Sequence, residues 1–157
     1  MRRYPITPAG KARLFKELRH LIEVERGACI LAIEVARAHG DLSENAEYDY
    51  AKDKQGMVEA KIRDMEAKYG MAEVIDPLTL SGDKVMFGAT VSLEDVDTDE
   101  VLQYQLLGSF EADLKLGIIS VESPIGRALL GKEVDDEVVI TVPRGNRTVL
   151  ITRVEYK

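Results

Sequence analysis

Apolar positions along this chain change period once, from steps of three and four to steps of two. From Lys11 to His39 there is no proline, and Gly27 is the only glycine. Thr7 can cap a helix there, with Pro8 at its first position. Leu14, Leu18, Leu21, Glu25, Ala28, Ala32 and Val35 follow alternating steps of four and three, a heptad seam broken only by Glu25. Gly40 suits the residue just past the helix end. A second seam runs through Tyr48, Ala51, Gln55, Val58, Ile62, Met65, Tyr69 and Ala72, broken only by Gln55. Gly70 and Pro77 weaken its far end. Two long helices with a very short connection must fold back on each other, which predicts an antiparallel coiled-coil hairpin. Each arm of roughly 30 residues is ~45 Å long, more than a small globular domain can cover, so the hairpin is expected to protrude. Towards the connection the seam turns small, at Ala28, Ala32, Ala46 and Ala51, which predicts closely packed arms and a narrow tip.

The second half reads as strands. Val85-Met86-Phe87, Ala89 to Leu93, Val101 to Leu107 and Ile118 to Val121 are short strand-like runs bounded by turn residues. Ser123-Pro124 predicts a helix start, Ile125 to Leu130 one or two helical turns, and Gly131 the stop. Glu137 to Val142 and Thr148 to Tyr156 alternate around Pro143-Arg144-Gly145-Asn146, a hairpin. The expected fold class is α+β: a hairpin over residues 1–75, a linker at 76–83, and a small antiparallel sheet with one short helix over 84–157.

Composition removes several function classes. The 157 residues are 45% apolar, too rich for a disordered chain. Apolar runs such as Cys29 to Ile33 fall far short of the ~20 residues of a spanning helix. No secretory pattern follows Met1, and Cys29 is the only cysteine, so a cytoplasmic protein without disulfides is expected. The net charge of −7 argues against a general nucleic-acid binder. Residues 1–75 hold 13 Lys/Arg and 13 Asp/Glu, whereas 76–157 hold 8 and 15, so the whole excess lies in the second half. Such asymmetry suggests two modules with different tasks.

Candidate chemistry concentrates in the connection, Gly40-Asp41-Leu42-Ser43-Glu44-Asn45-Ala46-Glu47-Tyr48. Asp41 and Glu44 support two roles. Asp-x-x-Glu at a helix start is a capping box, with Asp41 as N-cap and Glu44 reaching back. Two carboxylates at the end of a rod also make half of a Mg²⁺ site, because that ion takes oxygen ligands and is often completed by substrate phosphates. Both roles stay open on spacing alone. His20 and His39 lack ligand spacing, and Cys29 reads as packing. Arg37, Lys52 and Lys54, with Lys61 and Arg63, place positive charge along the hairpin, on more than one face. They fit either a solvated surface or contacts to phosphates.

The connection motif resembles the signature of the bacterial Gre transcript cleavage factors, and is closer to the GreA type than to the more basic GreB branch. The similarity continues through Gly56, Glu59, Ile62 and Ala72 to Ile75-Asp76, and resumes at Val85-Met86-Phe87-Gly88-Ala89-Thr90-Val91. It returns at Glu111-Ala112-Asp113, Ile118-Ile119-Ser120, Ser123-Pro124-Ile125, Ala128 to Lys132 and Val154-Glu155-Tyr156, and spans essentially the whole chain. The resemblance implies an FKBP-like C-terminal domain without isomerase activity and an elongation factor that acts on RNA polymerase. Its coiled coil would enter the polymerase's secondary channel and stimulate the polymerase's own cleavage of backtracked RNA. It implies that the protein is not itself an enzyme and binds no cofactor alone. Asp41 and Glu44 would share a second Mg²⁺ with the polymerase active centre, and Ser43 would support them. Arg37, Lys52 and Lys54 would touch the RNA 3′ end. Ser120, Glu122, Ser123 and Pro124 would contact polymerase near the channel entrance. No membrane and no small-molecule substrate is expected.

Three other functions make different predictions. A prolyl isomerase needs an aromatic-lined pocket, and the second half offers only Phe87, Tyr104, Phe110 and Tyr156. A coiled-coil chaperone with an FKBP-like domain predicts an apolar tip, whereas this one is acidic. A Gre-like inhibitor of polymerase predicts an altered tip, whereas Asp41 and Glu44 are both present.

Overall fold

The computed structural model describes residues 3–40 and 45–157. The chain divides into two compact units, Lys11–Met71 and a second made of Met1–Gly10 with Ala72–Lys157. The first ten residues thus belong with the C-terminal half, not with the hairpin expected over 1–75.

The helical unit is built from α1 (Pro8–His20), a π-helical turn at Leu21–Glu25, α2 (Arg26–Arg37) and α3 (Ala46–Gly70). Contacts run in opposite directions along the two arms: Phe15 stacks near Tyr69, Arg26 meets Glu59 and His39 meets Glu47. The arms are therefore antiparallel, as the twin seams predict. On α3 the expected seam is the observed one, with Ala51, Val58 and Ile62 buried and Tyr48, Gln55 and Met65 half-buried. On the first arm it holds through the buried Leu14 and Leu18 and the half-buried Leu21. Beyond the π-turn the buried residues are Cys29, Ile33 and Ala36, not Ala28, Ala32 and Val35. A π-turn takes up about one extra residue, and this rotates everything after it by roughly 100°. Ala28 and Ala32 are thus exposed and border a hollow with Tyr50, Ala51 and Lys54 instead of forming the close seam expected. Cys29 is a packing residue, as its setting suggests, in a cluster with Leu18, Val58 and Ile62.

The second unit carries a five-stranded sheet of order β5-β4-β3-β7-β6, where β3 is Ala89–Asp95, β4 Val101–Leu107, β5 Ile118–Ser120, β6 Glu137–Val142 and β7 Gly145–Tyr156. Alternation places Val138 and Ile140 of β6 and Val149 and Ile151 of β7 in the core, beside Val91, Leu93, Leu106 and Ile119. Leu129 of α4 (Pro124–Leu129) closes it. The local signals are observed as expected. Ser123 Oγ accepts from Gly126 N at 3.0 Å, Pro124 opens α4, and Gly131 takes the left-handed φ of 84° that a C′ glycine permits.

Three expectations fail in this half. The sheet is mixed, because β5 runs parallel to β4, with residues 108–117 forming the crossover. Val85 is no sheet strand: its N–H donates to Lys132 O and its carbonyl accepts from Gly131 N, both at 2.7 Å. The far end of the expected hairpin is a strand, and the expected linker opens on a turn. β1 (Tyr4–Ile6) pairs in parallel with β2 (Ala72–Val74), and Pro77–Thr79 form a 3₁₀ turn.

The start of α1 is tied into this unit. Gly10 N–H donates to Thr7 Oγ1 at 3.0 Å, so Thr7 caps the helix as expected. Its hydroxyl in turn donates to Glu111 Oε1, and its N–H donates to Glu111 Oε2. Thr7 and Glu111 are both buried.

At the end of β3, Asp95 accepts from Arg147 Nε at 2.6 Å and from the backbone N–H of Asp97 and Thr98, while Arg147 Nη2 reaches Glu100. The Arg147 guanidinium, helped by those N–H groups, holds the Asp95 carboxyl below its ordinary 3.8. A carboxyl with a folded pKa below its unfolded one stabilises fully above the unfolded value and loses that contribution as pH falls through the folded one. Asp95→Asn is thus expected to lower Tm at pH 7, with the gap to wild type closing below about pH 4. A pH series of thermal melts on both proteins checks this; a gap constant down to pH 3 would refute the assignment.

Candidate functional site

The two arms meet around residues 38–48. Asp41, Ser43 and Glu44 lie outside the described residues, but both flanks are defined. α2 ends at Arg37, and Gly40 adopts a φ of 101°. On the other side Asn45 is the N-cap of α3: its Oδ1 accepts from Tyr48 N at 3.0 Å. Its Nδ2 donates to the Ala36 carbonyl at 2.7 Å, so one amide both starts α3 and ties it to the end of α2. His39 Nε2 lies 3.1 Å from Glu47 Oε2, a second link across the arms.

This corrects the capping-box expectation. α3 starts at Ala46 with Asn45 as its cap, so Asp41 does not cap it and Glu44 is not its N3 residue. Sequence reasoning missed Asn45 because the Asp-x-x-Glu pattern sits four residues earlier. The available signal was that asparagine caps as well as aspartate.

The expected basic residues are exposed but not gathered. Arg37 is in the last turn of α2, and Lys52 and Lys54 are two residues apart on α3, a spacing that points side chains in different directions. Lys54 lines a hollow with Cys29, Tyr50 and Ala51.

Among the described residues no cluster of three or more His, Cys, Asp or Glu could hold a metal. The donor set at 41 and 44 is two carboxylates. That chemistry suits Mg²⁺, but two ligands suffice only when something else supplies the rest.

In the second unit the expected contact residues come together. Ser120 Oγ accepts from Glu122 N at 3.1 Å, and Ser123 Oγ donates to Ser120 O at 2.6 Å while capping α4. Ser120, Ser123 and Pro124 border an apolar cavity of 330 Å³ with Ile118, Ile125 and Thr141. Glu122 and Pro124 are exposed beside it.

No helix among the described residues is long and apolar enough to cross a membrane. The family description "Transcription elongation factor, N-terminal" matches residues 4–74, and "Transcription elongation factor, GreA/GreB, C-term" matches residues 80–156. The chain is 53% identical over 152 residues to the transcription elongation factor GreA of Sphingopyxis alaskensis, covering 97% of this chain and 95% of that one. It is 55% identical to that of Zymomonas mobilis, at the same coverage, and 50% identical to that of Hyphomonas neptunium over the full length of both. Among solved structures, the GreA factor homolog 1 of Thermus thermophilus is 27% identical, with a TM-score of 0.46 and 98% of this chain and 99% of that one covered. With both halves matched in order and half of all positions identical to these relatives, this chain belongs to the GreA/GreB family of transcription elongation factors.

Proposed function

We propose that this chain binds bacterial RNA polymerase in the cytoplasm and stimulates the polymerase's own hydrolysis of backtracked RNA. The observation that carries this is the acidic pair Asp41 and Glu44 in the connection, beside a helix whose cap is supplied by Asn45. Two carboxylates four positions or fewer before that cap are the residue types that bind Mg²⁺. The hairpin enters the secondary channel, and its connecting end meets the extruded RNA 3′ end. Asp41 is the residue that would hold Mg²⁺, shared with polymerase. The ion, when bound, supplies charge stabilisation for the attacking and leaving oxygens. Glu44 orients the attacking water or accepts its proton, which requires hydrogen-bond reach. Ser43 offers a hydroxyl to the RNA or to the connection itself. Arg37, Lys52 and Lys54 contribute phosphate contacts spread around the hairpin. The result is a new RNA 3′ end from which elongation resumes.

Ser120, Glu122, Ser123 and Pro124 supply the grip on polymerase. Ser120 and Ser123 also shape their own loop, so the informative changes are at the exposed pair. Glu122→Gln with Pro124→Ala is expected to weaken polymerase binding on the order of tenfold, ~1.4 kcal/mol, with at most a small loss of Tm from the altered start of α4. Wild-type affinity in a titration with labelled polymerase would remove these residues from the interface. A fragment starting at residue 76 is a poor probe of this grip. It lacks β1 and β2 and leaves Glu111 without Thr7.

The deciding experiment is RNA cleavage in a stalled elongation complex with and without this protein. Accelerated cleavage is expected, and the protein with Mg²⁺ alone is expected to leave free RNA intact. Slowed cleavage would make the chain an inhibitor. Cutting of free RNA, with contaminating nuclease excluded, would overturn the shared site.

A further inference from the structure

The outward side of α2 lacks the polar residues that a solvent-facing helix carries. Between Arg26 and Arg37 the only charged residue is Glu34. Cys29, Ile33 and Ala36 account for the buried face. What remains is apolar and exposed: Gly27, Ala28, Ile30, Leu31 at 61%, Ala32 and Val35 at 48%. Val24, 52% exposed, extends the row towards α1. Val24, Ala28, Leu31 and Val35 recur at steps of four, three and four, the spacing of a coiled-coil seam. α2 thus has one seam buried on α3 and a second that α3 does not cover.

We propose that this second seam pairs with the same seam of a second copy of the chain, α2 against α2 and antiparallel. The row is complementary to itself in that direction. A two-fold axis at its centre sets Leu31 against Ala28 of the second copy and Val35 against Val24, so large meets small in both middle layers and valines close the ends. Parallel pairing would set Ala28 against Ala28 and Leu31 against Leu31, one layer underfilled and the next crowded. Glu34 comes level with Gly27 of the second copy, where a Cβ would meet nothing within 4 Å, so the carboxylate keeps its water.

Charge beyond the seam selects the same direction. α2 leads through the connection, with Asp41 and Glu44, into a first turn of α3 that holds Glu47 and Asp49. Lys11 to His20 of α1 hold Lys11, Arg13, Lys16 and Arg19 against Glu17 alone. Antiparallel arms bring the acidic end of each copy level with the basic α1 of the other, whereas parallel arms set two acidic ends side by side. At 1.5 Å per residue the row from Val24 to Val35 is ~17 Å long, too short for a standard interface, so the dimer is weak, with a Kd on the order of 100 µM. It covers the arm that the reading above places in the polymerase channel, and on that reading polymerase and the second copy compete for α2.

Sedimentation velocity of the full chain, from about 5 µM to about 1 mM, is expected to show a monomer giving way to a dimer. Leu31→Glu sets a carboxylate in both middle layers. It is expected to keep the chain monomeric throughout at unchanged helicity, because glutamate forms helix about as well as leucine. Val139→Glu, at an apolar site of similar exposure on β6, is expected to leave the dimer intact. With Cys29→Ala in both, the Val24→Cys and Val35→Cys proteins are expected to cross-link with each other and not each with itself. A wild-type chain that stays monomeric to the top of the range overturns the pairing, and if Leu31→Glu then weakens polymerase binding the seam belongs to polymerase. A dimer that survives Leu31→Glu, or a Val35→Cys protein that cross-links to itself, overturns it as well. Sedimentation needs no RNA, so its failure and a failure to stimulate cleavage are separate results.

Discussion

Asp41→Asn and Glu44→Gln are each expected to remove most of the stimulated RNA cleavage, while polymerase binding and Tm stay at wild-type level. Both changes delete a charge and keep size and much of the hydrogen bonding. An amide is a far weaker Mg²⁺ ligand than a carboxylate, so Asp41→Asn should cost about 3 kcal/mol of transition-state stabilisation, a rate loss on the order of a hundredfold. Glu44→Gln removes the group that orients or deprotonates water, with a loss on the order of 10²–10⁴-fold. Raised Mg²⁺ should partly rescue Asp41→Asn, whose defect is ion recruitment, and not Glu44→Gln. Asn45→Ala is expected to do the opposite. It deletes the α3 cap and the tie to Ala36 O, and so costs ~1–2 kcal/mol of stability while both acidic groups remain. Cleavage assays on stalled complexes, paired with thermal melts, separate the two effects. An Asp41→Asn protein that binds polymerase and cleaves at the wild-type rate would return Asp41 to a purely structural role.

Gly10→Ala is expected to destabilise the protein by about 2 kcal/mol or more, although alanine is the better helix former by ~1 kcal/mol. A Cβ on Gly10 would stand 2.1 Å from Glu111 Oε1 and 2.3 Å from its Cδ, so the carboxylate must leave. Glu111 cannot move without cost, because it is buried and accepts from both the hydroxyl and the N–H of Thr7. Displacing it strips two buried donors of their acceptor, at ~1–3 kcal/mol each. A double-mutant cycle tests the coupling. Glu111→Ala alone destabilises by a similar amount, and adding Gly10→Ala then costs nothing, since the clash has gone. Urea unfolding of the four proteins gives the cycle. Additive losses would show that Gly10 and Glu111 act independently.

How much of this was legible beforehand depends on how far each decision reaches along the chain. The seam of α3, the Thr7-Pro8 and Ser123-Pro124 starts, the Gly131 stop and the β6–β7 hairpin were all readable. Each is settled among neighbours a few residues apart, by side-chain period, a cap hydroxyl or a positive φ. The role of Asn45 was less readable, because two capping patterns four residues apart compete and only the packing of α3 on α2 decides between them.

The amino-acid sequence by itself determined the two halves, the antiparallel hairpin, most of the strands and the acidic connection. Tertiary structure alone decided the π-turn and the one-residue shift of the first arm's seam, the parallel pairings of β1 with β2 and β4 with β5, and the clasp of Glu111 on Thr7. Those choices join residues 13 to more than 100 positions apart. Two apolar seams one residue apart look alike in a one-dimensional pattern. Only when α3 brings Glu59 opposite Arg26 does one of them acquire a charged partner and become the buried face.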